Sequence, residues 1–205
     1  MKGKIFNAQE VQAIIAGNKT MFREVIKPQP NSNINPVKLD YLCRTWQWAT
    51  KESRRECPYQ VGQKIFVKER FFEEIHPDSL RKNGKIHYDA SCDYEVIKVD
   101  GDGFQIFYKD GTPASPWKSP VHMEQEHSRL TLEITDVKVE RLGEISEEDC
   151  WKEGFKTDYK ILPHGIFKKD ASKFFTENWN ATHKKPEEKF ETNPFVWVVD
   201  FKINK

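Results

Sequence analysis

The sequence predicts an α+β fold in which strands near both ends and in the middle of the chain enclose a few short helices. The first of three supporting observations is the strict apolar and polar alternation over residues 130–135, which is typical of a half-buried strand. The second is the β-prone run over residues 194–201, and the third is the helical spacing of Val11, Ile14 and Ile15.

Length and composition favour one folded domain over residues 1–205, with an inserted excursion at about residues 31–60. The chain is long enough to bury a core without disulfides. Hydrophobic residues make up 37% and charged residues 32%, so we expect long charged loops, with the 13% of aromatic residues supplying much of the buried area. A formal net charge of +1 excludes a strong global field, so any polyanion must bind at a local patch.

The cysteine pattern argues against a zinc site and for a reducing compartment. None of Cys43, Cys57, Cys92 and Cys150 lies in a C-x-x-C pair or at zinc-finger spacing from a histidine. We therefore predict no metal and no organic cofactor. The sequence carries no secretory-signal pattern and no membrane-spanning stretch, which favours the cytoplasm and excludes a membrane partner.

The first elements are a strand at residues 4–6 and a helix that begins after it. Asn7 can cap the helix, and Gly17 suits the left-handed position that follows a helix. The turn after Gly17 then presents Asn18-Lys19-Thr20. Residues 27–30 contain two prolines, which stop regular structure and begin a loop.

The middle of the chain predicts an excursion followed by strands. Residues 41–56 are rich in tryptophan and arginine, and we interpret them as an insertion that folds back on the sheet. After a turn at residues 61–63, residues 64–69 predict a strand buried on both faces. Residues 87–99 and 104–108, joined through Asp-Gly-Asp-Gly, predict a hairpin.

The remaining elements are a long strand, two helices and a final strand. The alternation that starts at residue 130 continues to Leu142. Ser146, with Asp149 three residues later, predicts a capped helix that ends at Gly154. Residues 172–179 predict another helix, and residues 194–201 form the final strand.

Two candidate catalytic groups stand out, although no phosphate-binding loop, nucleophile elbow or zinc-protease motif is present. Lys19, beside Thr20 and Arg23, has the chemistry of a base or an electrostatic clamp. Glu153 lies near a helix end where the dipole disfavours negative charge, which suggests a functional role. The competing interpretations are a helix-end cation for Lys19 and an ordinary exposed carboxylate for Glu153.

A third constellation combines aromatic and basic residues. Trp117-Lys118, with His122 and Arg129, suits base stacking together with phosphate contacts. A core tryptophan beside a surface histidine is the alternative interpretation of the same residues.

Several segments, which follow one another in the same order as in the family, resemble the ASCH family, and in particular a branch found in tailed phages and prophages. Its opening Gly-x-Lys matches Gly17-Asn18-Lys19. The other matching segments are residues 25–30, 62–69, 88–90, 117–118, 122–123, 128–130, 135–142, 145–149, 153–154 and 193–198. The resemblance covers nearly the whole chain.

The resemblance implies a PUA-like fold, a small antiparallel β-barrel with flanking helices, that binds RNA, modified bases or nucleotides. It also implies roles for Lys19 and Glu153, which match the lysine and glutamate of small ASCH amidohydrolases that act on N(4)-acetylcytidine. Phe22 occupies the position of their threonine or glutamate, and Glu24, next to Arg23, occupies that of an arginine. A phenylalanine cannot act as nucleophile or acid, but it can stack on a base.

Three functions follow as hypotheses. The first is binding of single-stranded RNA or DNA, or of a modified nucleoside, by Lys19, Phe22, Arg23 and the aromatic–basic residues around Trp117. The second is hydrolysis of an acylated cytidine by Lys19, Thr20 and Glu153, or cleavage of single-stranded RNA. The third is a phage accessory or assembly role in which the excursion binds a protein partner.

Overall fold

The computed structural model describes residues 1–30, 37–38, 45–47, 54–75, 82–91, 94–99, 103–108, 117–155, 158–162 and 165–204. They form a mixed α+β fold with a five-stranded sheet and several smaller ones. The chain divides into two compact units. The first unit comprises residues 1–12 and 65–131, and the second comprises residues 13–64 and 132–205.

The regular elements are three helices and fourteen strands among the described residues. The helices are α1 (Ala8–Ile15), α2 (Glu147–Lys152) and α3 (Ala171–Thr182). The strands up to residue 75 are β1 (Lys2–Ile5), β2 (Met21–Val25), β3 (Val37–Lys38), β4 (Thr45–Gln47), β5 (Arg54–Glu56), β6 (Lys64–Lys68) and β7 (Phe71–Ile75). The later strands are β8 (Lys82–Tyr88), β9 (Tyr94–Val99), β10 (Gly103–Tyr108), β11 (Thr131–Arg141), β12 (Asp158–Leu162), β13 (Gly165–Lys169) and β14 (Phe195–Asn204).

The first unit contains parallel and antiparallel pairs. Strand β1 runs parallel to β6, with Gly3 opposite Phe66. The pairs β7–β8 and β9–β10 are antiparallel. Ile65, Phe66 and Val67 are all buried, which confirms the prediction of a strand covered on both faces.

The second unit is organised round β14, which lies between β11 and β2. Strand β14 is antiparallel to β2, with Val198 opposite Arg23. Its valines and aromatic residues suit a pleated surface covered on both sides, and the strand is buried from Phe195 to Val199. The helical spacing of Ala171, Phe175 and Trp179 places one face of α3 against this core.

Local signals in the sequence located the helices correctly. The Glu10 amide donates to Asn7 Oδ1 at 2.9 Å, and the Asp149 amide donates to Ser146 Oγ at 3.1 Å. Gly17 and Gly154 have φ values of 71° and 92°, the left-handed backbone expected after a helix. No helix among the described residues is long and apolar enough to cross a bilayer.

Other expectations need correction. The strand predicted at residues 87–99 is interrupted: His87 and Tyr88 end β8, which pairs with β7, and a short 3₁₀ turn over Asp89–Ser91 follows. Only β9 and β10 form the predicted hairpin. No sheet of the described residues closes on itself, so a PUA-like barrel is not confirmed. Most of the excursion at residues 31–60 lies outside the described residues.

Candidate functional site

The backbone joins the end of α1 to the end of α2. The amides of Asn18 and Lys19 both donate to the Ala13 carbonyl, which turns the chain sharply after Gly17. Lys19 then lies opposite Glu153 in an antiparallel bridge, and the Thr20 amide donates to the Lys152 carbonyl at 2.8 Å. Main-chain bonds therefore hold the lysine beside the glutamate.

The side chains of Lys19 and Glu153 form a buried ion pair. Lys19 Nζ lies 2.8 Å from Glu153 Oε2 and donates to the Glu153 carbonyl at 3.1 Å. The two side chains are 2% and 5% exposed. The structure thus brings together two residues that sequence reasoning had singled out separately.

Arg23 extends the pair into a network in the second unit. One guanidinium nitrogen donates to Glu153 Oε1 at 3.2 Å, and the other to Asp149 Oδ2 at 2.8 Å and Glu140 Oε2 at 3.3 Å. Lys138 Nζ lies 2.6 Å from Glu140 Oε1. We call these six groups, Lys19, Arg23, Lys138, Glu140, Asp149 and Glu153, the charged network.

The charges of the network balance, with three cations facing three carboxylates. Burying such groups is costly, and the network persists because each charge faces an opposite one. The Nε of Arg23 is buried with no hydrogen-bond partner among the described residues. Burial raises the pKa of the neighbouring Cys150 thiol to about 11, so this sulfur is protonated at neutral pH.

Sequence reasoning missed Asp149 and Glu140 as partners of Arg23. It assigned Asp149 to the helix N-terminus, and its backbone amide does donate to the capping Ser146. The carboxylate is the part that contacts Arg23. The sequence places Glu140 in the strand β11 but gives no sign that its carboxylate faces Arg23. That contact is visible only in the tertiary structure.

Phe22 and Thr20 do not join the network. Side chains alternate along an extended chain, so Thr20 and Phe22 point away from the face that carries Lys19 and Arg23. Phe22 is 3% exposed, and its ring lies 5.1 Å from that of Tyr59 and 6.0 Å from that of Phe201. The prediction that Phe22 stacks on a base is therefore wrong, and Thr20 is not placed to act with Lys19 and Glu153.

Trp117, Lys118 and His122 line a pocket in the first unit, which we call the aromatic pocket. Its volume is ≈ 650 Å³, which lies within the range of roughly 300–1,000 Å³ that is typical of small-molecule sites. Its lining includes Phe71, Glu73, Trp117, Lys118, His122 and His127.

Hydrogen bonds fix the polar wall of the aromatic pocket. The Lys118 amide donates to the Phe71 carbonyl at 2.7 Å, which places Lys118 next to β7. Lys118 Nζ lies 2.9 Å from Glu73 Oε2, and His127 Nε2 lies 3.8 Å from Glu73 Oε1. Sequence reasoning missed Glu73, because the strand β7 that carries it was not predicted.

Arg129, the remaining predicted binding residue, makes a different contact. Its guanidinium binds Glu69 through two bonds of 2.8 and 2.9 Å and lies 4.4 Å from the centre of the Tyr88 ring. These partners hold it in place by charge and by ring contact. Arg129 is not among the described residues that line the aromatic pocket.

Comparison with known proteins returned structural similarity alone. No family model and no curated protein matches the chain. Similar solved structures include a DUF984 protein from Enterococcus faecalis V583, at 9% identity and a TM-score of 0.39, covering 99% of this chain and 80% of that one. They also include an ASCH domain from Lactobacillus crispatus JV V101, at 13% identity and a TM-score of 0.36, covering 98% of this chain and 78% of that one. The second belongs to the family that the sequence motifs resemble.

Proposed function

We propose that this protein binds a nucleobase, carried by a nucleotide or by a single strand, in the aromatic pocket of the first unit. The observation that carries the proposal is the joint presence, in one cavity of ≈ 650 Å³, of aromatic rings, an ammonium and a carboxylate. Flat heterocycles need these features, because they stack on rings and hydrogen-bond at their edges.

The rings supply affinity that does not depend on sequence. Stacking of a base on an aromatic side chain contributes about 1–3 kcal/mol in single-strand binding proteins. The Trp117 ring lies 4.9 Å from Phe72 in an edge contact, and the guanidinium of Arg70 lies 5.5 Å from its centre. These neighbours hold the indole in position, which lowers the entropic cost of binding.

The cations at the pocket supply attraction for phosphate. The Lys118 side chain is 36% exposed even while it contacts Glu73, and His122 is exposed. A strand bound through such contacts releases counterions, so its affinity falls as salt rises. A free nucleoside without phosphate lacks that dependence.

Tryptophan fluorescence titration with the four nucleoside monophosphates and a short single strand tests the proposal. We expect binding by the wild type, and weaker strand binding between about 50 and 300 mM salt. Lys118→Gln should weaken strand binding and reduce its salt dependence. Lys152→Gln is the matched control, because Lys152 is similarly exposed and also pairs with a glutamate at 2.9 Å. No binding, or equal losses in the two variants, would refute the proposal.

A hydrolase is the second candidate, and the buried Lys19–Glu153 pair favours it. In that case Glu153 would move a proton and Lys19 would bind the developing charge. Incubation with N(4)-acetylcytidine, followed by chromatography for cytidine, tests it, and labelled single-stranded RNA in the same assay tests for a ribonuclease. Activity lost in Lys19→Ala while its circular dichroism spectrum stays that of the wild type, but kept in Glu148→Gln, supports the hydrolase, and an inert wild type removes it.

A third proposal is that the excursion binds a protein partner, with Trp48 rather than Trp46 as the contact residue. Trp46 is buried and its ring lies 6.3 Å from that of Trp197, so it is a core residue of the second unit. Trp48 lies outside the described residues. Pulldown from a bacterial lysate with Trp48→Ala as the test variant addresses this role. A phage or prophage origin stays a separate proposal, which rests on the resemblance of the sequence motifs.

A further inference from the structure

The polar wall of the aromatic pocket has a donor and acceptor order. Lys118 Nζ is a donor, and the two oxygens of Glu73 are acceptors. Glu73 is 8% exposed, and Lys118 is tied to β7 by its backbone. Lys118 Nζ lies 2.9 Å from Oε2, and His127 Nε2 lies 3.8 Å from Oε1, so the wall presents one donor followed by two acceptors.

We infer that the base recognised by this wall is guanine. The inference rests on the proposed function, since it names the base that the aromatic pocket takes. The Watson–Crick edge of guanine presents the acceptor O6, then the donors N1–H and N2–H. That order is complementary to the ammonium of Lys118 followed by the carboxylate of Glu73.

The ion pair of Lys118 and Glu73 can persist when guanine is bound. A carboxylate has about four lone-pair sites, so Glu73 can accept from both N1–H and N2–H while Oε2 still contacts the ammonium and Oε1 still lies 3.8 Å from His127 Nε2. Lys118 has three donor hydrogens and can serve Glu73 and O6 together. Bonds to charged groups of this kind are stronger than neutral ones.

The other bases fit the same wall less well. Cytosine presents a donor followed by two acceptors, and two acceptors facing a carboxylate repel each other. Uracil offers one donor between two acceptors, and adenine offers one donor and one acceptor. Cytosine, uracil and adenine each leave a polar atom of the wall or of the base without a hydrogen-bond partner. The free energy lost at such unpaired atoms is the main source of discrimination in polar sites.

Titration calorimetry of the full chain with GMP, IMP, AMP, CMP and UMP tests the inference. IMP differs from GMP by the absent N2 amino group alone, so it lacks one bond to the carboxylate. We expect GMP to bind roughly 10- to 100-fold more tightly than IMP. The Glu73→Gln variant keeps one acceptor and adds a donor. In this variant we expect the ratio of the IMP and GMP dissociation constants to fall towards one.

Glu126→Gln is the matched control, because Glu126 is exposed in the nearby 3₁₀ turn and is not among the described residues lining the pocket. It should keep the preference for GMP. Equal affinity of GMP and IMP in the wild type, or of all five nucleotides, would overturn guanine recognition while nucleobase binding stands. Absence of any binding would overturn both. If Glu73→Gln does not fold, the comparison of GMP with IMP in the wild type decides alone.

Discussion

Glu153→Gln tests the charged network most directly. The substitution keeps the size of the side chain and removes its charge, so Lys19 and Arg23 lose a common counterion. Both carboxylate oxygens are engaged, Oε2 with Lys19 at 2.8 Å and Oε1 with Arg23 at 3.2 Å. We expect a large loss of stability, because a buried cation loses its partner.

The magnitude follows from burial. The paired side chains of Lys19 and Glu153 are almost inaccessible to solvent, so water does not screen their interaction. Removing one partner of such a pair costs about 3–5 kcal/mol. For a chain of this length each kcal/mol lowers the melting temperature by about 2–4 °C. The expected decrease is therefore about 6–20 °C.

Thermal unfolding followed by circular dichroism measures this decrease. Glu148→Gln is the control, because Glu148 lies in α2, which Glu153 directly follows, and pairs with Lys152 on the surface, with its side chain 70% exposed. We expect it to shift the melting temperature little, since exposed pairs contribute about 0–1 kcal/mol. If Glu153→Gln is as mild as Glu148→Gln, the network does not hold the fold together and the reasoning is wrong.

Two further predictions concern groups in the same unit. Burial raises the pKa of Asp200 above its usual value of 3.8. The contribution of Asp200 to stability is therefore fully present below pH 3.8 and is lost as the pH rises through the pKa of the folded state. Asp200→Asn should therefore gain stability relative to wild type between pH 3 and pH 7 in denaturant titrations, and a constant difference would contradict this. Cys150, buried and with a raised pKa, should resist iodoacetamide at neutral pH until denaturant is added, and peptide mass spectrometry that finds it labelled in the native protein would contradict that.

The sequence predicted what short-range chemistry decides. Asn7 and Ser146 cap helices because their side chains accept from backbone amides three residues on, which is a local geometric fact. Gly17 and Gly154 occupy left-handed positions for an equally local reason. The strand β11 was predicted because strict alternation over residues 130–135 leaves few other structures.

Contacts between residues that are distant along the chain could not be predicted from these local signals. The strand β2 and the pairs β7–β8 and β12–β13 went unpredicted, since short strands gain their stability from a partner that the local sequence does not name. Phe22 was assigned to a ligand because its core neighbours, Tyr59 and Phe201, are distant along the chain. Glu73 was missed for the same reason, since Lys118 comes 45 residues later.

The energetic cost of ligand access distinguishes the two candidate sites. A ligand that bonds to Glu153 must compete with Lys19 or Arg23, and breaking one buried pair costs about 3–5 kcal/mol. A micromolar ligand has about 8 kcal/mol of binding free energy in total, so that cost removes close to half of it. In the aromatic pocket the Lys118–Glu73 pair is partly exposed and can stay formed while a base binds. The charged network therefore suits a role in holding β2, β11 and α2 together, and the aromatic pocket suits ligand binding.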